Sequence, residues 1–271
     1  KNNKTVLVKT IYSGISKGTE KLVSSKLVNK DQFELMKAPF QEGSFDLPIK
    51  YGYINIGKIV DGPKQILNKN IFSLFPHQSL YEIPIKNISI LPNRNIKKFL
   101  LTANMETAIN IFWDSMPNKK DKIIIIGLGS VGILTAYYFQ LRKFNQVYVY
   151  DSNLKKKSIA KYLKFKFIDF NKIKSADIVI NTSSDYNILT NSMKILSNEG
   201  KFSLVLIHEA TDEVLQSNPN LSSTLGVVEF AYRDIEIDNQ ANVLPIVFVS
   251  AILIGFIWVV IDKKVIEKSV K

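Results

Sequence analysis

The chain has 271 residues, enough for one large domain or two small ones, and it lacks cysteine, which excludes a disulfide framework, a thiolate metal site and a thiol nucleophile. Its two histidines, His77 and His208, are too few for a multi-histidine site, no acidic loop suits magnesium or calcium, and no metal is expected. The net charge of +12 is uneven: residues 1–201 carry 31 Lys and Arg against 15 acids, whereas residues 202–242 carry Arg233 against seven, which puts a boundary near 202–215. Lysine far outnumbers arginine in the basic part, and arginine is the better residue for bidentate phosphate and base recognition, so a solvated lysine surface is expected and no nucleic-acid partner.

Thr5 to Ile11 alternates like a strand, and PIKYGYINIGKIVDG at 48–62 reads as a strand pair punctuated by glycine. NIFSLFPHQSLYEIPI at 70–85 is a second block of that kind, and together these predict a small, mostly β domain. From about Lys97 the pattern turns helical through LLTANMETAINIFWDSM and then alternates strand with helix, the mark of a parallel α/β unit.

Residues 122–151 carry the strongest signal. An apolar run, Lys122 to Ile126, is followed by Gly127-Leu128-Gly129-Ser130-Val131-Gly132, the apolar stretch ILTAYYFQLRKF, the run VYVY and Asp151. Strand, glycine turn, helix, strand and acid in this order form a dinucleotide fingerprint. Gly127 allows the tight turn, Gly129 lets backbone approach a pyrophosphate, and Gly132 lets helix and strand pack closely. The phosphate would rest on the N–H groups of Ser130, Val131 and Gly132. Asp151 stands nineteen residues past the last glycine, where a carboxylate reaches both ribose hydroxyls and repels a 2′-phosphate, so NAD is expected over NADP. Lys155, Lys156 and Lys157 leave two readings open, a solvated helix start or a partner for a 2′-phosphate. KFKFIDF at 164–170, Asp177 to Ile180 and Gly200 to Val205 read as the third, fourth and fifth strands.

HEATDEVLQSNPNLSSTLG, 208–226, is polar and reads as a linker or surface loop. Val243 to Ile261 then runs nineteen residues without a charge, about 28 Å as a helix against a bilayer core of roughly 30 Å. It predicts a single transmembrane helix closed by Asp262, Lys263 and Lys264. The lysines beyond the span would place the C-terminus on the cytoplasmic or stromal side, whereas cofactor binding would place residues 1–201 there. One span satisfies only one of these, and the cofactor argument is given the greater weight.

Ser13-Gly14-Ile15-Ser16-Lys17-Gly18-Thr19-Glu20, Tyr51-Gly52-Tyr53 with Gly57, Phe75-Pro76-His77-Gln78 and Met105-Glu106-Thr107-Ala108, joined to the glycine motif, resemble the medium-chain dehydrogenase/reductase family over about residues 5–205. The nearest look is to its zinc-lacking branch, which includes the bacteriochlorophyllide 3-hydroxyethyl dehydrogenase of bacteriochlorophyll synthesis. The resemblance implies an α/β fold with a GroES-like β domain (1–100) and a Rossmann domain (101–207). After these come the acidic linker (208–242), the transmembrane helix (243–261) and a basic tail (262–271). The Rossmann sheet is expected to be shortened, since the family pattern fades after Val205.

Zinc-dependent members of that family carry a cysteine ligand where this chain has Ser16 and a Gly-His-Glu motif where it has Gly52-Tyr53-Ile54, so zinc chemistry is not expected. Oxidation of an alcohol without a Lewis acid needs a general base, and the candidates are Tyr53 and His77, then Ser16 and Lys17. His77 reads equally as a satisfied loop histidine, Tyr53 as a packed aromatic, and Glu106 as a hinge hydrogen-bonding group or an exposed helix residue. Two functions remain open. One is a membrane-anchored, metal-free NAD-dependent oxidoreductase acting on an alcohol or carbonyl of a bulky lipophilic substrate, a tetrapyrrole by the resemblance. The other is a degenerate dehydrogenase-like subunit docked through its helix among the transmembrane helices of a larger complex.

Overall fold

The structure, a computed structural model, describes residues 4–34, 36–183, 185–204 and 225–227. These residues form two units that divide between Ala103 and Asn104.

The first unit is built on antiparallel strands: β1 (Thr5–Ser13), β2 (Glu42–Gly43), β3 (Ile49–Lys50), β4 (Asn55–Asp61), β5 (Asn70–Ser73), β6 (Leu80–Pro84) and β7 (Ser89–Ile90), with helix α1 (Lys17–Ser24) after the first. Five of them form one sheet in the order β6-β1-β4-β5-β7, and β2 pairs with β3 alone. The stretch 48–62 therefore does not fold back on itself as a strand pair: its two strands join different sheets, separated by Gly52 at φ +116°. Ile71 and Phe72 are neighbours on β5 and must point to opposite faces. Ile71 packs with Val6, Val8, Ile59 and Ile83, and Phe72 with Ile54, Ile56, Leu91 and Phe99, so both faces of this sheet are covered. A third cluster, Val23, Ala38, Phe45 and Tyr51, fixes α1 to the segment that precedes β4.

The second unit opens within helix α2 (Thr102–Ser115) and continues through β8 (Ile123–Ile126), α3 (Ser130–Leu141), β9 (Val147–Tyr150), α4 (Lys157–Tyr162), β10 (Lys166–Phe167), β11 (Ala176–Asn181), α5 (Tyr186–Lys194), β12 (Leu196–Leu204) and β13 (Leu225–Val227). All six strands are parallel, in the order β10-β9-β8-β11-β12-β13. Numbered within the unit this is 3-2-1-4-5-6, the doubly wound dinucleotide-binding order, whose switch point lies between β8 and β11. The four isoleucines of β8 are all fully buried. Ile123 and Ile125 join one cluster with Ala136, Phe139 and Ala160, and Ile124 and Ile126 join another with Ile173, Ile195 and Phe202. Helices on both faces explain an apolar run with no alternation.

The expectation of a shortened sheet ending at 207 is corrected here. β13 pairs with β12 through Leu225, Gly226 and Val227, so the chain after the polar stretch returns to the sheet and supplies a sixth strand. A three-residue strand containing glycine, next to a polar run, has too little alternation to register as a strand. The proposed linker at 208–226 thus ends inside the domain. No helix among the described residues is long and apolar enough to cross a membrane, and the span expected at 243–261 lies outside the described residues.

Candidate functional site

The glycine turn sits at the carboxyl end of β8, beside the switch point. Gly127 has φ +94°, and a Cβ there would lie 2.7 Å from Thr182 Oγ1 and 3.0 Å from Ser183 N. At Gly132 a Cβ would lie 1.8 Å from the carbonyl oxygen of Gly127, an overlap that nothing but backbone movement could relieve. Thr182, just past β11, donates its hydroxyl to the carbonyls of Ile126 and Gly127, both at 2.9 Å, and clamps the turn from the other side of the switch point. Gly129 is different: among the described residues nothing lies within 4 Å of a Cβ built on it, and its backbone angles are ordinary. It is the N-cap of α3 and brings no side chain to cap it. The first N–H groups of a helix have no partner within the helix, which leaves those of Ser130, Val131 and Gly132 without an intrahelical acceptor and with the helix dipole behind them.

Asp151 closes the other side. It follows β9 and is 7% exposed. Its Oδ2 accepts from the Leu128 N–H at 2.7 Å and pairs with Lys156 Nζ at 3.0 Å, while Oδ1 accepts from Asn153 N at 2.8 Å. The carboxylate thus holds the glycine turn. Of the three lysines left open, Lys156 turns back to Asp151, Lys155 is exposed, and Lys157 lies over the Phe167 ring at 5.7 Å. The side-chain nitrogen of Asn181, at the end of β11, is buried with no hydrogen-bond partner among the described residues.

In the first unit the residues at 13–20, 51–53 and 77 form one polar cluster. Ser13 ends β1, Glu20 lies on α1, and His77 lies in the loop between β5 and β6, where its N–H donates to the Tyr51 carbonyl at 3.0 Å. Ser13 Oγ is 2.5 Å from His77 Nδ1, and His77 Nε2 is 2.7 Å from Glu20 Oε2. The other oxygen of Glu20 accepts from the Ser16 N–H at 2.7 Å, which secures the start of α1. Gly52 packs against the imidazole so closely that a Cβ would sit 2.6 Å from Nε2. The hydrogen bond to Glu20 raises the His77 pKa above 6.5, against the opposing effect of burial. Tyr53 donates to Thr19 Oγ1 at 3.2 Å. Burial raises its pKa above 10, and the nearby Glu20 charge adds to this, so its phenol keeps its proton and suits a base less well than His77 does. Ser16 and Lys17 serve the start of α1, the first through its N–H and the second as an exposed first residue.

Ser13 and Glu20 were not singled out as functional in the sequence; they are 64 and 57 residues from His77, and only the folding of β1 and α1 brings them to it. On α2, Glu106 is not the exposed helix residue that was one of its two readings, since burial raises its pKa to about 7. Among the described residues no group of three or more His, Asp or Glu is placed to hold a metal ion.

No protein-family model matches the chain, and no curated protein matches it in sequence. Solved structures do share its fold. An E. coli CFT073 protein described as a short chain alcohol dehydrogenase, complexed with NADH, superposes with a TM-score of 0.62 at 14% identity, over 82% of this chain and 74% of its own. A Helicobacter pylori protein complexed with NADP(H) gives 0.58 at 16%, over 75% and 68%. A thermostable alcohol dehydrogenase from Pyrobaculum aerophilum, bound to cobalt and zinc, gives 0.59 at 16%, over 79% and 74%. The described chain has the α/β fold with a parallel sheet found in these dehydrogenases.

Proposed function

We propose that this chain is a NAD-dependent, metal-free oxidoreductase that transfers hydride to or from an alcohol or carbonyl on a bulky lipophilic substrate. The observation that carries the reading is the contrast among the three glycines: Gly127 and Gly132 are closed in by neighbouring atoms, while Gly129, the N-cap of α3, has open space around it among the described residues. That is the cradle a pyrophosphate needs. Ser130, Val131 and Gly132 would hold the pyrophosphate and Asp151 the adenosine ribose; the bound nicotinamide supplies the hydride donor or acceptor. NADH- and NADP(H)-bound proteins of the same fold support a nicotinamide cofactor. The buried Asp151 carboxylate favours NAD over NADP, although Lys156 offsets part of its charge. In the first unit His77 is the proposed base and Tyr53 a hydrogen-bond donor.

A tetrapyrrole is the substrate suggested by the resemblance of the Ser13–Glu20 and Phe75–Gln78 motifs, and the uncharged run at 243–261 supports a single-pass anchor with the cofactor unit on the cytoplasmic or stromal side. A degenerate subunit of a membrane complex is the alternative; it loses the support that a truncated sheet would have given.

Calorimetry of the full chain tests the cofactor reading. NADH is expected to bind more tightly than NADPH, and Asp151→Ala to weaken NADH; equal affinity in the variant, or tighter NADPH, contradicts it. Deletion of 243–271 is expected to release the protein from carbonate-washed membranes, and retention there would defeat the anchor.

A further inference from the structure

Residues 152–168 hold six lysines and no acid. They form α4, the short turn before it and β10, the strand at one end of the parallel sheet. Ala160 is the buried residue of α4, so the opposite face of the helix looks outward. That face and the preceding turn present Leu154, Ile159 and Tyr162, which are 67%, 40% and 85% exposed. Tyr162 is the most exposed large apolar side chain among the described residues. Beside them an open groove of about 450 Å³ runs between Lys157, Ser158 and Lys161 on one side and Phe165 and Phe167 on the other, and most of its wall is apolar.

The lysines fall into two groups. Lys156 turns back to Asp151, Lys157 lies over the Phe167 ring, and Lys166 lies over the Tyr148 ring and donates to the Asn145 carbonyl. Lys155, Lys161 and Lys164 are exposed, and among the described residues no acidic side chain pairs with them. Single exposed apolar residues are ordinary, but three within nine residues, next to an apolar groove and among unpaired lysines, form a patch. Its charge calls for an anionic partner, and its composition narrows the choice. A nucleic acid would be met by arginine forks and stacking platforms, yet no arginine lies in this stretch, and Leu154 and Ile159 offer a base nothing. The core of a protein interface is poor in lysine. A bilayer with anionic headgroups suits both halves of the patch, because it takes ammonium groups at the phosphate level and aliphatic and tyrosine side chains just beneath.

We propose that this face of the second unit docks on the surface of an anionic lipid bilayer, with Leu154, Ile159 and Tyr162 entering the headgroup region and Lys155, Lys161 and Lys164 at the phosphates. The inference rests neither on the cofactor reading nor on the anchor at 243–261.

The chain has no cysteine, so full-length Tyr162→Cys accepts a single environment-sensitive dye at the centre of the patch, and full-length Leu27→Cys carries the same dye at an exposed apolar site of the first unit. Both are read with vesicles of phosphatidylcholine, alone or with ~30% phosphatidylserine. Emission from the dye at 162 should shift to the blue with the anionic vesicles and not with the neutral ones, and high salt should reverse the shift. The dye at 27 should not respond. In the chain labelled at 162, adding Lys161→Gln and Lys164→Gln should weaken the contact by roughly 25-fold, at roughly fivefold per lysine. The dye reports the surroundings of α4 alone, so the result does not depend on whether residues 243–261 also enter the bilayer. No shift with anionic vesicles, an equal shift with neutral ones or at position 27, or unchanged contact in the lysine variant overturns the proposal. A dye at 162 that is already shielded before lipid is added means that a second copy or an acidic segment of this chain covers the face, and overturns it as well.

Discussion

The two units build their candidate sites from different material. In the second, the working surface is backbone: a glycine turn, the N–H groups that open α3, and one carboxylate, Asp151, which itself holds the turn through Leu128 N. In the first it is side chains, Ser13, Glu20, Tyr53 and His77, held over an antiparallel sheet by hydrogen bonds of 2.5 to 3.2 Å. A backbone site tolerates many neighbouring sequences but no added atom at its glycines. A side-chain site tolerates changes of packing but depends on which proton sits on which nitrogen. Damage to the two should therefore look different.

The largest effect is expected from Gly132→Ala. A methyl 1.8 Å from the Gly127 carbonyl forces the turn and α3 apart, so the variant should lose about 3 kcal/mol in denaturant unfolding and bind no NADH. Full stability in this variant would break the distinction between the two sites.

The matching change in the first unit is Gly52→Ala, which adds a methyl at φ +116° and 2.6 Å from His77 Nε2. It should cost about 2 kcal/mol, since the imidazole can yield where backbone cannot, and NADH affinity should be untouched.

Glu106 sharpens the comparison through pH. Its folded value of about 7 lies above the ordinary 4.5, so between these the folded protein holds a proton that the unfolded chain has released, and stability should fall as pH rises through that window. Glu106→Gln should remove this slope and gain on the order of 1 kcal/mol above neutrality, measured as denaturant midpoints across the range. A smaller effect comes from His77. Its folded pKa is raised by Glu20, so the stability it contributes is fully present below 6.5 and lost as pH rises through the raised value. Glu20→Gln should flatten that part of the profile.

The same contrast explains what could be read from the residues. The candidate site at the glycine turn was legible because its parts lie within thirty consecutive residues, 122–151, and because a parallel strand buried on both faces reads as an unbroken apolar run, as Ile123 to Ile126 does. The polar cluster of the first unit was only half legible. His77 and Tyr53 were picked as chemical types at motif positions, but Ser13 and Glu20 join His77 through the folding of β1 and α1 around a loop far along the chain, and no local spacing signals that. Glu106 carried an ambiguity that burial alone resolves, since a lone acid on an apolar stretch reads the same whether it is covered or not. Strand β13 escaped for want of length, and the β3 and β4 segments looked like a hairpin because glycine at 52 suggests a turn, when it serves instead as the close-packed neighbour of the imidazole.

Gly129→Ala, with NADH titrated by calorimetry into the full-length parent and variant, separates folding from binding most cleanly. Among the described residues nothing lies within 4 Å of the added methyl, and the backbone angles suit any residue, so stability should change by less than about 1 kcal/mol. At the N-cap of α3 the methyl would crowd the proposed pyrophosphate site, and NADH affinity should fall by about tenfold or more, equal to ~1.4 kcal/mol. Unchanged NADH affinity in a well-folded Gly129→Ala protein, or no NADH binding by the parent, would contradict the placement of the cofactor at the glycine turn.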